Sequence, residues 1–408
     1  MALRFPIFMD AQSTTPADPR VVEAMLPYFT EKFGHPASRN HPFGWEAEAA
    51  VDRAREQIAT LIGARDAKEI VFTSGGTEAI NLALKGVVEM YREKGNHIVT
   101  TAIEQRAGLD VCRRLERRGV SVTYVPVQAD GLVSVDEIAK ALTDKTILIS
   151  VMLANNEIGT IQDLATIGKL AKERGILLHT DATQAAGKIP VDVEGMGIDL
   201  LSCTAHLMYG PKGIGALYVR RRGPRVRIAP LIDGGGHERG MRSGTLPVPL
   251  VVGFGRAAEI CREVMPEEGP RLAGLRDRLQ DAILSKVEEA FLNGHPERRL
   301  PQNLNISFAY VEGESVLMGL NKETALSSGS ACTSATLEPS YVIAALGAST
   351  ELAHSSIRFS LHRFNTAEEV DYVGQRTIEV VQRLREMSPL YELAKEGVDI
   401  KSIHWKAE

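Results

Sequence analysis

Residues 69–79 read Glu-Ile-Val-Phe-Thr-Ser-Gly-Gly-Thr-Glu-Ala, an apolar run followed by small residues and then by a helical pattern. The apolar run predicts a buried strand at Glu69–Phe72, and the i, i+3/i+4 spacing of Ile80, Ala83 and Leu84 predicts the helix. Backbone N–H groups at such a helix start carry partial positive charge, so this turn can hold a phosphate. Many strand-to-helix turns are rich in glycine for steric reasons alone. The turn by itself therefore leaves both interpretations open.

The same alternation continues on both sides of this turn. Short runs rich in β-branched residues predict six further strands, at His97–Thr101, Val120–Val125, Thr146–Met152, Ile176–Thr180, Leu200–Cys203 and Ile214–Val219. Strands that are apolar throughout suit a sheet covered on both faces. The sequence therefore predicts an α/β fold with a mostly parallel central sheet flanked by helices.

The pattern changes after residue 262. Long charged helical patterns at 270–290 and 366–387 bracket short strand candidates at Asn305–Phe308 and Ser356–Ser360. We therefore expect a large domain at residues 15–262 and a smaller α+β domain. The smaller domain comprises residues 263–408 together with residues 1–14.

Composition excludes several classes of protein. The chain has 408 residues, 44% of them hydrophobic, and a net charge of −5, which argues against disorder and gives no global reason to expect nucleic-acid or membrane binding. No apolar run approaches the roughly 18 residues of a membrane span. The first residues lack the layout of a signal peptide, so a cytoplasmic location is the default expectation. Four scattered cysteines without CxxC spacing indicate reduced thiols and no metal site.

Three further segments contain candidate functional residues. Asp181 follows a predicted strand, where α/β sheets place ligand contacts, although it could equally cap a helix. Asn156 also follows a strand, and could belong to an ordinary turn. Cys332 lies among small polar residues, which is unusual for a thiol, since free cysteine is normally buried and inert.

Together these segments resemble one family over nearly the whole chain, the housekeeping cysteine desulfurases of iron–sulfur cluster assembly. The matching motifs are Thr14–Arg20, Phe72–Glu78, Asn155–Gly159, Asp181–Gln184, Tyr209–Gly213, Gly234–Thr245, Ser327–Ser334 and His354–Phe359. The resemblance implies a homodimeric fold-type-I enzyme that uses pyridoxal 5′-phosphate (PLP). Such enzymes convert L-cysteine to L-alanine and retain the sulfur as a protein persulfide.

The resemblance also implies roles for individual residues. The PLP phosphate would be held by Gly76, Thr77, Thr204 and His206, and by Thr245 from the partner subunit. The ring would be held by Asp181 at its nitrogen, by Gln184 at its phenolic oxygen and by Asn156. Arg358 would bind the substrate carboxylate, and Cys332 would carry the persulfide. The tail at Ser388–Trp405 and the Cys332 loop would dock the iron–sulfur scaffold protein.

The chain departs from the family pattern at three pocket positions. Leu207 stands where the family has the lysine that binds PLP as a Schiff base, and Gln105 stands where it has the histidine that stacks on the ring. His35 replaces an asparagine that contacts substrate. Lys188 and Lys212 have counterparts in the family, so we expect them to point elsewhere.

These departures lead to two main hypotheses. The chain is either a cysteine desulfurase impaired by Leu207 and Gln105, or a catalytically silent paralogue that accepts sulfur or docks the scaffold. PLP would be bound non-covalently or not at all. A third possibility is a pocket that serves another phosphorylated ligand.

Overall fold

The computed structural model describes residues 3–329 and 339–396 of the chain. Within these ranges the strands are β1 (Ile7–Phe8), β2 (Ile70–Thr73), β3 (His97–Thr101), β4 (Ser121–Val125), β5 (Thr146–Ser150), β6 (Leu177–Asp181), β7 (Leu200–Thr204), β8 (Gly215–Val219), β9 (Ala290–Leu292), β10 (Asn303–Phe308), β11 (Thr324–Ala325), β12 (Ser327–Ser328) and β13 (Ser356–Ser360). The helices are α1 (Pro19–Met25), α2 (Pro27–Thr30), α3 (Pro42–Leu61), α4 (Gly76–Tyr91), α5 (Arg106–Glu116), α6 (Val135–Ala141), α7 (Leu164–Glu173), α8 (Val248–Leu284), α9 (Gly313–Leu320), α10 (Tyr341–Ala345), α11 (Thr350–His354), α12 (Ala367–Glu386) and α13 (Pro389–Lys395).

Seven strands form the central sheet, in the order β2-β8-β7-β6-β5-β3-β4. Strand β8 pairs antiparallel with both of its neighbours, whereas all other pairs are parallel. Six strands therefore run in the same direction, and their carboxyl ends lie along one edge of the sheet. The predicted α/β fold with a mostly parallel sheet is confirmed.

The sheet is buried because helices cover both of its faces. All side chains of β3, β5 and β7 are buried. One face packs in a core with α4 and α5, through residues such as Leu84 and Val111, and the other packs in a larger core with α3 and α8. Continuous apolar strands are what this two-sided burial requires.

A second sheet is antiparallel and has the order β12-β13-β10-β9. Its core includes Leu304, Phe359 and Val373 and is separate from the core of the central sheet. The predicted domain boundary at residue 262 falls inside α8, which contributes Ile260 to one core and Leu279 to the other. The division into two domains at that residue stays a prediction.

The predicted strands agree with the structure to within two residues at each end, but α8 differs from the prediction. The helix was expected to begin at residue 270, and it begins at Val248 and continues through Pro266 and Pro270. Packing against α3 and α12 outweighs the hydrogen bonds that the two prolines cannot donate. Among the described helices, none is both long and apolar enough to cross a membrane.

Candidate functional site

A cavity lies at the carboxyl edge of the central sheet. Its walls come from segments that directly follow β2, β3, β5, β6 and β7, together with residues 12–13 and one residue of β13. They are Gln12, Ser13, Gly76, Thr77, Gln105, Arg106, Asn156, Thr183, Gln184, Thr204, His206, Leu207 and Arg358. This is the edge at which α/β sheets bind ligands, and the topology explains why residues so distant in sequence meet there.

One end of the cavity is formed by the turn between β2 and α4. The cap residue of α4 is Gly75, and no side chain of the described chain caps this helix start. A Cβ atom at Gly76 would lie 2.7 Å from Cγ2 of Thr183, so any larger residue there would require Thr183 or the turn to shift. The uncapped backbone N–H groups and the absence of a side chain at Gly76 suit a bound phosphate.

A second cavity adjoins this turn and shares Ser13, Gly76, Thr77 and other wall residues with the first. Lys212 lines this second cavity and does not belong to the wall of the first. Burial, and secondly the charge of Lys212, lower the pKa of His206. Its Nδ1 atom lies 3.2 Å from Oγ1 of Thr14. The phosphate turn therefore has a positively charged neighbour.

Asp181 ends β6 and is 4% exposed. Its Oδ1 atom accepts a 2.8 Å hydrogen bond from the backbone N–H of Thr183. Its Oδ2 atom is excluded from solvent and has no hydrogen-bond partner within residues 3–329 and 339–396. Burial raises the pKa of Asp181, because the charged carboxylate loses its hydration. A cationic N–H group placed at Oδ2 would reverse that effect.

Gln184 and Asn156 flank the same cavity. Gln184 Nε2 donates to the backbone carbonyl of Gln12 at 2.9 Å, which fixes the amide and leaves its second N–H available. The side-chain Oδ1 atom of Asn156 is buried and has no partner in the part of the chain that the structure describes. Both residues are therefore placed to bind a ligand in the cavity.

Leu207 and Gln105 also belong to the wall, and neither side chain can titrate. Leu207 ends a 3₁₀ turn at Ala205–Leu207 directly after β7 and is 6% exposed. Gln105 precedes α5, and its Oε1 atom is buried without a hydrogen-bond partner among the described residues. The structure brings both residues to the cavity, as expected from the motifs.

Arg358 is 2% exposed and is already bound within the chain. Its Nη2 atom donates to Asp10 Oδ1 and to Ser13 Oγ, both at 2.7 Å, and its Nη1 atom donates to the backbone carbonyl of Asn156 at 2.9 Å. Arg358 Nε is buried and has no partner among the residues described. A substrate carboxylate would therefore share this guanidinium with Asp10.

Comparison with known proteins agrees with this arrangement. The family model for class-V aminotransferases matches residues 7–373. The chain belongs to this family. It is 54% identical over 400 residues to the cysteine desulfurase IscS of Rickettsia felis, covering 98% of this chain and 97% of that protein. It is 57% identical over 405 residues to the cysteine desulfurase IscS of Aeromonas hydrophila, covering 99% of both.

A solved structure of a NifS-like protein has a TM-score of 0.85 and 37% sequence identity to this chain, covering 93% of this chain and 100% of the other. The class-V family is PLP-dependent, and the residues present fit that cofactor. The buried Oδ2 atom of Asp181, which has no partner among the described residues, matches a protonated pyridine nitrogen. The turn at Gly76 matches the phosphate.

Two predicted site residues lie outside the cavity of the single chain. Nε2 of His35 is 3.4 Å from Oγ1 of Thr245, and both side chains are exposed. Neither belongs to the wall described above. If Thr245 reaches the partner's phosphate turn, as the resemblance implies, His35 would accompany it. The substrate-binding role of His35 stays a prediction.

Cys332 and the tail beyond residue 396 lie outside the described residues. Sequence reasoning missed Gln12, Ser13 and the Asp10–Arg358 ion pair. The available signal was their position immediately before the Thr14–Arg20 motif. Lys188 lies away from the cavity, with its Nζ atom 3.8 Å from the ring centroid of Tyr209, as expected.

Proposed function

We propose that this chain is a protein of the cysteine desulfurase type that binds a phosphorylated vitamin B6 cofactor by reversible contacts and converts L-cysteine to L-alanine slowly. The observation that carries the proposal is the combination of Asp181 and Leu207. The buried Oδ2 atom of Asp181 has no partner among the described residues and could accept a hydrogen bond from a ring nitrogen. Leu207 lines the same region of the molecule, at the position where the resemblance places the family's lysine.

When bound, PLP supplies an electron sink that stabilises negative charge on the substrate's α-carbon. The chain's own residues would hold and orient the reactants. Asp181 would keep a proton on the ring nitrogen, and Gln184 would donate its second N–H to the phenolic oxygen. Arg358, fixed by Asp10 and Ser13, would bind the substrate carboxylate. The persulfide would form on Cys332.

Proton transfer is the step for which the cavity is poorly equipped. Among the described wall residues, His206 is the only one of a type that normally titrates near neutrality, but burial lowers its pKa, and it lies beside Thr14. One positioned acid–base group contributes about 10²–10⁴ in rate. The two positions occupied by Leu207 and Gln105 would together account for about 10⁴ or more, since such losses do not add simply.

The lack of a titratable group at both positions also favours the second candidate, a silent paralogue that accepts sulfur or docks an iron–sulfur scaffold. The two candidates differ in turnover. A sulfide-release assay with L-cysteine and a reducing thiol distinguishes them. The silent paralogue should release no more sulfide than the same concentration of free PLP does in solution.

Native mass spectrometry of the full-length protein tests cofactor binding. We expect a B6 phosphate mass that is lost completely on denaturation, and a lower occupancy in Asp181→Ala. The exposed Asp144 provides a matched control, and Asp144→Ala should leave occupancy unchanged. Borohydride reduction followed by peptide mapping should find no stoichiometric pyridoxyl-lysine. Finding one would refute reversible binding.

A further inference from the structure

The guanidinium of Arg358, which would bind a substrate carboxylate, is already paired with the carboxylate of Asp10 in the same chain. We propose that Asp10 is a specificity-determining residue that occupies Arg358 as an internal carboxylate, so that the cavity does not select for ligands with an α-carboxylate. This inference rests on the proposed function, because it concerns the substrate side of the same cavity.

The hydrogen bonds of the Arg358 guanidinium carry the argument. Its Nη2 atom donates to Asp10 Oδ1 and to Ser13 Oγ, both at 2.7 Å, so both N–H groups of this nitrogen have acceptors. A guanidinium binds a carboxylate bidentately through two parallel N–H groups, one from Nη2 and the other from Nε or Nη1. Nε is buried without a partner among the described residues, and it can therefore offer a ligand one hydrogen bond but not the bidentate pair.

Backbone hydrogen bonds hold the two acceptors beside Arg358. Arg358 lies in the middle of β13, and the chain around Asp10 runs along the end of that strand, where the N–H of Ser360 donates to the carbonyl of Met9 at 2.8 Å. The N–H of Ser13 donates to the carbonyl of Asp10 at 3.0 Å, which places both acceptors in one turn. The pairing with Arg358 is therefore part of the folded chain and does not depend on a ligand.

The charge of Asp10 also acts against a ligand carboxylate. The side chains of Arg358 and Asp10 are 2% and 16% exposed, so water screens their surroundings poorly. A second carboxylate on the same guanidinium would lie close to Asp10, and the two negative charges would repel each other. This repulsion would offset the single hydrogen bond from Nε. We therefore expect a carboxylate on the ligand to change its affinity by less than about threefold.

Arg106 is the competing site for a ligand carboxylate, because it is the other arginine in the described cavity wall. Its guanidinium carbon lies 5.1 Å from the ring centroid of Tyr341, which places it beside α10. The experiment therefore has to measure the contribution of Arg106 separately from that of Arg358.

Two stable ligands that differ only in the carboxylate test the inference. N-(5′-phosphopyridoxyl)-L-alanine has this group, whereas N-(5′-phosphopyridoxyl)ethylamine lacks it and has the same ring and phosphate. Calorimetric titration of the cofactor-free, full-length protein with each ligand gives the ratio of the two affinities. We expect a ratio below about threefold in the unmodified chain and of about tenfold or more in Asp10→Asn, because the neutral amide leaves the charge of Arg358 available to the ligand.

Two control variants show whether the gain in Asp10→Asn acts through Arg358. Asp10→Asn combined with Arg358→Gln should return the ratio to less than about threefold, because the guanidinium is then absent. Asp371→Asn removes the same charge from an aspartate that pairs with Arg278 outside the cavity. It should leave the ratio as it is in the unmodified chain.

The outcomes separate this inference from the proposed function. A ratio of about tenfold or more in the unmodified chain would overturn the inference, and its loss in Arg106→Gln would assign the carboxylate to Arg106. That measurement needs no variant at Asp10, so it decides the question even if Asp10→Asn does not fold. An Asp10→Asn variant that weakens both ligands equally would show a merely structural role and would also overturn the inference. If neither ligand binds the unmodified chain, the proposed cofactor site is itself wrong, and this inference is wrong with it.

Discussion

The wall of the cavity contains two groups of residues that differ in the chemistry they offer a ligand. The first group, which we call the phosphate end, is the turn at Gly76 with Thr204 and His206, and its uncapped helix start and close contact at Gly76 would suit a bound phosphate. The second group, Gln105 and Leu207, has no side chain that titrates, at positions where the resemblance places a histidine and a lysine in the family. Binding and proton transfer therefore depend on separate sets of residues, and one set can change while the other is retained.

The strongest test of this difference is to introduce titratable groups at both positions of the second group. In Leu207→Lys combined with Gln105→His, we expect the protein to turn yellow with PLP and to form alanine from cysteine about 10⁴-fold or more faster than the unmodified chain. The reason is that the binding contacts are already in place. Visible absorbance and alanine quantification measure the two effects.

The control for this variant is Leu207→Met combined with Gln105→Asn, which changes the same positions without adding a titratable group. It should show neither the absorbance band of a Schiff base nor any increase in alanine formation over the unmodified chain. A colourless Lys–His variant would mean that further residues of the cavity, such as Gln12 and Ser13, have also departed from a productive arrangement.

The positions of the strands and the place of Asp181 at the carboxyl ends of a mostly parallel sheet could be predicted from the sequence, because apolar runs indicate buried strands and such sheets bind ligands at that edge. His97–Thr101 and Ser356–Ser360 were predicted at their observed bounds. Helix α8 was not predicted at full length, because Pro266 and Pro270 are local breakers and the packing that overrides them is a long-range effect.

The candidate site also contains long-range contacts that could not be predicted from the sequence. Motifs identify Asp181 and Arg358, but no local pattern reveals that Asp10 binds the guanidinium of Arg358, since the two residues are 348 positions apart. Lys212 gives a second example, because its place beside the phosphate turn depends on how the chain returns after β7. Pair contacts between distant segments are the information that a single sequence lacks.

A smaller effect, on cofactor affinity, is expected when a side chain is added at Gly76 in the phosphate end. In Gly76→Ala the new Cβ would lie 2.7 Å from Thr183 Cγ2, so Thr183 and the turn must shift. Overpacking of this kind costs about 1–3 kcal/mol, and we expect the affinity for a B6 phosphate to fall by about tenfold or more. Calorimetric titration measures this change.

The matched control is Gly274→Ala in α8, where the structure shows no described atom within 4 Å of the added Cβ. It should leave the affinity unchanged. Pyridoxamine without its phosphate supplies a further control, since its binding should be insensitive to Gly76→Ala. A loss of affinity that is equal with and without phosphate would mean that Gly76 supports the whole cavity and does not serve the phosphate end specifically.

The smallest effect concerns stability in the absence of any cofactor. Leu207 is 6% exposed, and replacing it with lysine buries an ammonium in place of apolar surface. We expect Leu207→Lys to lower the free energy of unfolding by about 1–3 kcal/mol at neutral pH, a loss of several degrees in melting temperature, whereas the volume-conserving Leu207→Met should cost less than about 1.5 kcal/mol. Thermal melts of the cofactor-free proteins measure both.

The pH dependence of the stability difference between Leu207→Lys and the unmodified chain tests whether the buried ammonium causes it. Burial lowers the pKa of the chain's own Lys188 to about 8. The pKa of a lysine at position 207 should be lowered for the same reason. The folded state then binds fewer protons than the unfolded state between that lowered pKa and about 10.4, so the stability of Leu207→Lys should rise relative to the unmodified chain as the pH rises through this window. A Lys variant that melts at an equal or higher temperature at neutral pH would instead mean that the oxygens of Gln105 and Asn156 already accommodate an ammonium from the protein. Both groups of wall residues would then be able to bind a charged partner, although only the phosphate end has a histidine.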